Sequence, residues 1–493
     1  MRIGRVLLAA AVAVALGRAG LAQNAGSEAT GPLDVERLQA IDAFVLSEMV
    51  KEHAPGLELG IYNRGQILLA KGYGEANIEL GVPVKPETVF QSGSMGKQFV
   101  SAAIMMLVEE GRVSLDDSIT KYFPDAPAAW KPILIKNLLS HTSGLAEYES
   151  DERTGPSGPF YLRLDFTEDE LVKKIEAMPI EWAPGTNWAY RNTNYVLLGV
   201  VIHKVTGKPY WEFLQERIFR PLGMTSTQLI SDRDIVPNRA AGYELENGQL
   251  KNQEWVSPTF NSTADGALYF NVRDLAKWDE ALYGTRLLKQ ASIDRMWTVY
   301  LLNDGKPNPD NYGFGWVINE QNGHKRIEHS GEWQGFTSHI ARYPDDGITV
   351  VALMNLAGGN PTLIAHVVAG LADPALKVAK LSAATDDQPA IEVALTKVLG
   401  KIVAGEDIRP ECTAELAARI TPEASKRAQE RLSRLWPGGA LTLVKRSPVS
   451  DQAGLSTSIF RLSKGTDAAL IYFGEDAGGK ISTLGIRPDR EYE

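Results

Sequence analysis

Ser94 and Lys97 stand three residues apart in Gln91-Ser92-Gly93-Ser94-Met95-Gly96-Lys97-Gln98-Phe99. On a helix, positions i and i+3 share a face, so the Lys97 amine can reach the Ser94 oxygen and take its proton if something keeps that amine neutral. Such a pair is a nucleophile with its own base inside one helical turn. Two later stretches carry matching chemistry. Tyr190-Arg191-Asn192 offers a phenol that can relay a proton and an amide that can hold a substrate carbonyl. His329-Ser330-Gly331 falls in what reads as an edge strand. A strand beside a nucleophile can bind an acyl substrate by backbone pairing and lend an N–H to the oxyanion, and Gly331 permits the close backbone approach this needs. Each triplet alone is a common pattern; the force of the reading lies in all three occurring together.

Other chemistries fit less well. Ser140-His141 and Ser143 suggest a nucleophile and base, but adjacent side chains rarely face each other, and a turn at a helix end accounts for them. Ser92-Gly93-Ser94-Met95-Gly96 lacks the first glycine of a G-x-S-x-G elbow, and no repeating strand–helix units surround it. The seven histidines contain no His-Glu-x-x-His, and His324 with His329 is a poor ligand pair. His203 and His366 lie in apolar helical runs and read as satisfied core or surface residues. Cys412 is the sole cysteine, so an internal disulfide is excluded; in its polar C-terminal surroundings it reads as structural.

The elements that must position these residues follow from periodicity. Apolar spacing predicts a helix over 34–52, then a β-hairpin, 56–62 and 66–73, turning at Asn63-Arg64-Gly65. The nucleophile opens a helix whose core face is Phe99, Ala103, Met106 and Leu107, and which stops at Gly111. Residues 113–310 are mainly helical patterns with long Pro- and Gly-rich loops, the strongest helices being 195–205 and 274–283. Strands return at 312–319, 326–330, 336–343 and 348–355, with a hairpin turn at Asp345-Asp346-Gly347, and an amphipathic helix over 360–372 closes the run. The fold class expected is α/β (α+β): one antiparallel sheet completed by both ends of the domain, with helices on its faces. The domains expected are a leader (1–22), a disordered lead-in (23–33), a catalytic domain (34–376), a linker (377–389) and a small α+β accessory domain (390–493).

The leader has the form of a secretory signal: basic Arg2 and Arg5, an apolar run from Val6 to Leu16, and Gly20-Leu21-Ala22 before Gln23. The apolar run is too short to span a membrane, and no other run is long enough. The expected product is therefore exported, periplasmic or secreted, without a transmembrane anchor. Net charge is −10, and −13 without the leader (48 basic against 61 acidic residues), which argues against nucleic acid or anionic membrane as the main partner. The sequence carries no signal for oligomeric state.

The order Ser94-x-x-Lys97, Tyr190-x-Asn192, His329-Ser330-Gly331 resembles the class C β-lactamase and D-alanyl-D-alanine carboxypeptidase family of serine hydrolases, with their esterase and aminopeptidase relatives. Leu138-Leu139-Ser140-His141-Thr142-Ser143-Gly144-Leu145, Pro184-Gly185-Thr186, Asp265-Gly266, Val272 to Trp278 and Gly335-Phe336 support the resemblance, which covers about residues 34–375. It implies an antiparallel sheet, an all-helical subdomain and a site between them. It also implies roles: Ser94 attacks an acyl carbonyl, Lys97 and Tyr190 share the base work, and Tyr190 returns a proton to the leaving group. Asn192 holds the substrate amide and orients Lys97. Backbone N–H groups of Ser94 and Glu332 form the oxyanion hole, and water cleaves the acyl-enzyme. No cofactor or metal is implied, and the partner is a small-molecule or peptide acyl substrate: a D-alanyl peptide, a short ester, a β-lactam or a D-amino-acid amide. A sensor that acylates without turnover is the alternative. The sequence departs from the β-lactamase pattern where His329 and Ser330 stand for lysine and threonine. A histidine is only partly charged near neutrality, which weakens recognition of a substrate carboxylate. Glu332 also stands where relatives often have a small residue.

Overall fold

The computed structural model describes residues 33–446, 457–465 and 467–489. The expected leader, and all of the lead-in but Leu33, lie outside them. The chain divides into two compact units, one running to Leu376 and the other starting at Lys377.

The first unit is built on a seven-stranded antiparallel sheet. In spatial order its strands are Val82–Pro83, Gln66–Asn77, Gly56–Asn63, Ile348–Met354, Phe336–Tyr343, His324–Trp333 and Val317–Gln321. The N-terminal hairpin thus docks on the late strands through Gly56–Asn63, paired with Ile348–Met354 from Leu57↔Met354 to Asn63↔Ile348. Its central strands are buried on both faces; Ile348–Met354 is accordingly almost wholly apolar, whereas Phe336–Tyr343 also buries Thr337, Ser338, His339 and Arg342. Helices Val35–Glu52 and Pro361–Ala372 cover one face, with Ile41, Val45, Ile364 and Val368 packed on Leu57, Leu59 and Val350. Asp34 caps the first of these by accepting from the Arg37 N–H.

Helix Lys97–Glu109 belongs to the other core, with Phe99, Ala103 and Met106 buried among Tyr195, Phe219 and Trp278. A single 3₁₀ turn, Gly93–Gly96, precedes it. From Thr88 to Leu107 every residue is buried except Ser94, so the core holds the turn and exposes only the hydroxyl. The middle of the chain carries the expected helices, among them Asn192–Thr206 and Val272–Ala281, but more of it is loop than helix, and it also carries a three-stranded sheet (Phe90–Gln91, Leu268–Phe270, Gln228–Leu229) and a hairpin at 243–252.

The strand bearing His329 is next to the edge rather than at it. The outer strand, Val317–Gln321, pairs with it only from His324 to Glu328. Residues 329–333 lie beyond that pairing, so the motif occupies an open stretch of a strand that is covered elsewhere. Tyr312 to Trp316, expected within a strand, instead forms an irregular approach to Val317.

The second unit pairs helices Pro389–Ala404 and Pro422–Leu435 with a four-stranded antiparallel sheet spanning 440–488. Leu395, Leu399, Leu432, Phe460 and Phe473 form its core. Cys412 is buried there, and burial raises its thiol pKa. A short helix, Ala414–Arg419, went unanticipated.

Candidate active site

The turn carrying Ser94 is bolted in place by its neighbour. Ser92 Oγ donates to the Gly266 carbonyl at 2.8 Å, and the Ser92 carbonyl accepts from Ser338 Oγ at 2.7 Å. Gly93 has φ +49°, and a Cβ there would lie 2.3 Å from the Glu332 backbone nitrogen. A Cβ at Gly331 would lie 2.1 Å from the Ser92 carbonyl. Only two glycines allow the open strand stretch to come this close to the nucleophile turn. The contact sets the Glu332 N–H beside the turn in which the Ser94 N–H, at the start of a helix, has no helical acceptor.

Lys97 is fully buried. Its Nζ lies 2.8 Å from Ser94 Oγ and 2.7 Å from Asn192 Oδ1, and it also donates to the Asp265 carbonyl. Burial lowers its pKa to about 8, against the opposing pull of Asp265, Glu149 and Glu147. Asn192 and the Asp265 carbonyl offer this amine oxygen acceptors only. A neutral amine therefore spends both N–H groups on them and turns its lone pair to the Ser94 hydroxyl.

Tyr190 lines the same cavity. Burial holds its phenol well above 10, outweighing the Ser94 hydroxyl nearby. Its Oη is buried and makes no hydrogen bond of good geometry. Burial thus keeps the proton on this phenol. Asn192 begins helix Asn192–Thr206 rather than preceding it. Its backbone N–H donates to Glu147 Oε2 at 2.6 Å, and its Nδ2 to Glu149 Oε2 at 2.6 Å. The side chain is thereby locked with its oxygen toward Lys97.

His329 corrects an expectation. Its Nδ1 lies 2.6 Å from the Ser330 carbonyl and must donate to it; its Nε2 then accepts from the Tyr312 hydroxyl at 2.9 Å. Burial, and then the Lys97 charge, push its pKa down to about 3. The ring is neutral rather than partly charged and has no free nitrogen for a substrate. Ser330 is exposed on the cavity wall, and Glu332, also exposed, accepts from the Gly358 N–H at 2.9 Å.

Several residues escaped the sequence reading. Glu147, Tyr148 and Glu149 follow the Leu138–Leu145 stretch directly, and Asp265 was noticed only as a flank of Gly266. Tyr148 donates to Asp265 Oδ2 at 2.7 Å. Burial, then Asp265 and Glu147, push the Glu149 carboxyl up to about 8. Two acids so close to each other and to a catalytic stretch were the available signal. Ser140 and His141 do occupy the turn ending helix Ile135–Leu139, but the His141 ring also stacks 4.3 Å from the Tyr190 ring. Its Nδ1 accepts from the Arg191 N–H and Asn194 Nδ2, which fixes the loop carrying Tyr190. On the strand of His329, Glu328 accepts from His366 Nε2 at 2.6 Å and His339 Nε2 at 3.2 Å. Arg326 Nε lies 2.9 Å from the same carboxylate as an ion pair, so two histidines and one arginine surround a buried Glu328. His203 pairs with exposed Glu168.

The cavity over Ser94 holds about 850 Å³ and is bordered by all three motifs. Among the described residues no helix is long and apolar enough to cross a membrane.

Comparison with known proteins agrees with this geometry. Penicillin-binding protein 4* of Bacillus subtilis (strain 168) is 30% identical over 310 residues, which cover 59% of this chain and 66% of that protein. Protein flp of Staphylococcus aureus (strain MRSA252) is 28% identical over 336 residues, covering 67% of this chain and 65% of that protein. The chain therefore spans just under two thirds of these relatives. Among solved structures, the octameric penicillin-binding protein homologue from Pyrococcus abyssi superposes with TM-score 0.61 at 23% identity, over 92% of this chain and 98% of that one. A D-stereospecific amidohydrolase from Streptomyces sp. gives TM-score 0.57 at 25% identity, over 69% and 99%. The family description "Beta-lactamase" matches residues 39–371, a span that contains Ser94, Lys97, Tyr190 and His329 and most of the chain; this chain belongs to the β-lactamase family.

Proposed function

We propose that this chain is an exported serine hydrolase that cleaves an amide or ester through an acyl-Ser94 intermediate. The observation that carries the reading is the Lys97 amine, buried 2.8 Å from Ser94 Oγ with its other two partners limited to accepting hydrogen bonds. In the acylation step Ser94 Oγ bonds to the carbonyl carbon as its proton passes to Lys97 Nζ. The oxyanion is held by the Ser94 and Glu332 N–H groups. The carbon–leaving-group bond then breaks, and the proton on Lys97 reaches the leaving atom through the Tyr190 hydroxyl, which lies beside Ser94. Water repeats the sequence and releases the acid. Asn192 holds Lys97 in register, and His329, locked to Tyr312, supports the wall on which Ser330 and Gly331 pair with substrate backbone.

The likeness to a D-stereospecific amidohydrolase favours amides within this class, and the leader-like first 22 residues support export. Labelling with a fluorophosphonate probe tests the nucleophile. The wild-type protein should be labelled at Ser94 and should turn over a p-nitrophenyl ester many times, whereas Ser94→Ala should do neither. Labelling or turnover that survives Ser94→Ala overturns the reading; a single stoichiometric burst without turnover replaces hydrolysis with a sensor role.

A further inference from the structure

A second group of side chains converges on the other face of the sheet. Successive residues of a strand point to opposite faces, so Glu328 meets helix Pro361–Ala372 while its neighbour His329 lines the Ser94 cavity. Three elements contribute: Glu328 from strand His324–Trp333, His339 from strand Phe336–Tyr343, and His366 from the helix. Both rings bring Nε2 to the same oxygen, Glu328 Oε2, His366 at 2.6 Å and His339 at 3.2 Å. One donor atom from each residue fits within 4.8 Å of the others. The rings meet edge to face at 84°, so both nitrogens reach one point without the rings colliding. Two imidazoles and a carboxylate are a ligand set suited to zinc. Donors on one tetrahedral zinc ion lie about 3.3 Å apart, close to the separations here, so only small side-chain shifts are needed.

The surroundings supply what metal ligands need behind them. Asn319 Nδ2 donates to Glu328 Oε1 at 3.0 Å and leaves Oε2 turned to the rings. Thr362 Oγ1 lies 3.0 Å from His339 Nδ1. A hydroxyl can donate or accept. It donates to Nδ1 while Nε2–H faces Glu328, and accepts from Nδ1–H once Nε2 is a ligand. Each ring then exchanges a proton on Nε2 for one on Nδ1, with no net release. The His366 side chain is 12% exposed and gives an ion its way in. Arg326 is the opposing feature. Its Nε lies 2.9 Å from Glu328 Oε2 without the alignment of a hydrogen bond, and its Nη1 is tied to Gln321 Oε1 at 2.9 Å. Its charge repels an incoming cation and lowers the affinity.

We propose that Glu328, His339 and His366 form a structural zinc site that ties the strand carrying His329 to the next strand and to the helix covering both. The site is independent of the acyl-Ser94 reading. Three protein ligands leave a fourth position for water. Thr362, the outer partner of His339, also borders the Ser94 cavity, so the ion steadies one wall of that cavity from behind.

The test uses the full chain, stripped of metal with a chelator and dialysed. One equivalent of zinc should bind in a calorimetric titration and raise the melting temperature, and cobalt(II) in its place should give the visible absorption of a four-coordinate ion. His366→Gln, at the rim of the cluster, should weaken zinc binding by about 100-fold or more, and Thr362→Val by about 10- to 100-fold. Arg326→Gln should tighten it. His324→Gln, which breaks only the His324–Asp346 pair, should leave it unchanged. Circular dichroism checks that each variant is folded. Zinc should also protect His339 and His366 of the unmutated chain from diethyl pyrocarbonate, a readout that needs no variant. No stoichiometric binding by the wild type, no protection of the two histidines, undiminished binding in His366→Gln, or binding lost in His324→Gln each overturns the proposal.

Discussion

The pKa of Lys97 can be read directly as a rate. An ordinary lysine near 10.5 leaves roughly one amine in three thousand neutral at pH 7, whereas one near 8 leaves about one in ten. If the neutral amine is the base, kcat/KM for a neutral p-nitrophenyl ester should climb about tenfold per pH step below 7. It should bend near 8 and level off by about pH 9, so that the value at pH 6 is about one hundredth of the plateau. Glu149 titrates in the same range, so the bend belongs to the Lys97–Glu149 pair. Glu149 raises the pKa of Lys97 in the folded chain, and Glu149→Gln should therefore shift the bend to lower pH. Lys97→Arg keeps the charge and removes the base, with an expected loss of about 10²–10⁴-fold at every pH. A profile flat from pH 6 to 9, or Lys97→Arg with near wild-type rates, would refute the assignment.

Three further outcomes follow from the packing. Gly331→Ala places a methyl 2.1 Å from the Ser92 carbonyl and must part the strand from the nucleophile turn; kcat/KM should fall about 100-fold or more, with an unchanged far-ultraviolet circular dichroism spectrum. Asp279 and Arg342 form a fully buried pair at 2.6 Å, with Thr349 donating to the same carboxylate. Asp279→Ala should cost about 3–5 kcal/mol in denaturant unfolding, and the combined Asp279→Leu, Arg342→Met chain should recover most of it. Lys97→Met should be inactive, and its stability relative to wild type should depend on pH. The depressed lysine pKa makes the wild type gain stability as pH rises from about 8 toward 10.5, so the relative stability of the variant should drop by about 3 kcal/mol across that window.

Much of the architecture was legible because the patterns that announce it are local. The hairpin at 56–77, the helix after Ser94 and the returning strands each carry their own periodicity and turn residues, and Ile348–Met354, buried on both faces, is apolar at nearly every position. The three motifs were legible for the same reason. What escaped depended on contacts across the fold. The state of His329 is set by Tyr312, and no single-chain pattern says that a phenol will donate to that ring. Glu149 is drawn to the nucleophile through Asn192, 43 residues away in sequence. The strand of His329 reads as an edge strand, yet its partner Val317–Gln321 is short, and pairing length is decided by the irregular approach at 312–316 rather than by composition.

That short outer strand has a consequence for how the protein can change. An uncovered β-strand invites other chains to pair with it, and proteins shield such edges. Here five residues shield the strand as far as Glu328 and stop one residue before the motif. At about 3.3 Å per residue, two more paired residues would seal some 7 Å of the opening while leaving Ser94, Lys97 and Tyr190 untouched. The reach of one peripheral strand thus works as a shutter on how much of a substrate's backbone can be read. Its length can be altered within residues 317–323, which leaves Tyr312, the partner of His329, in place.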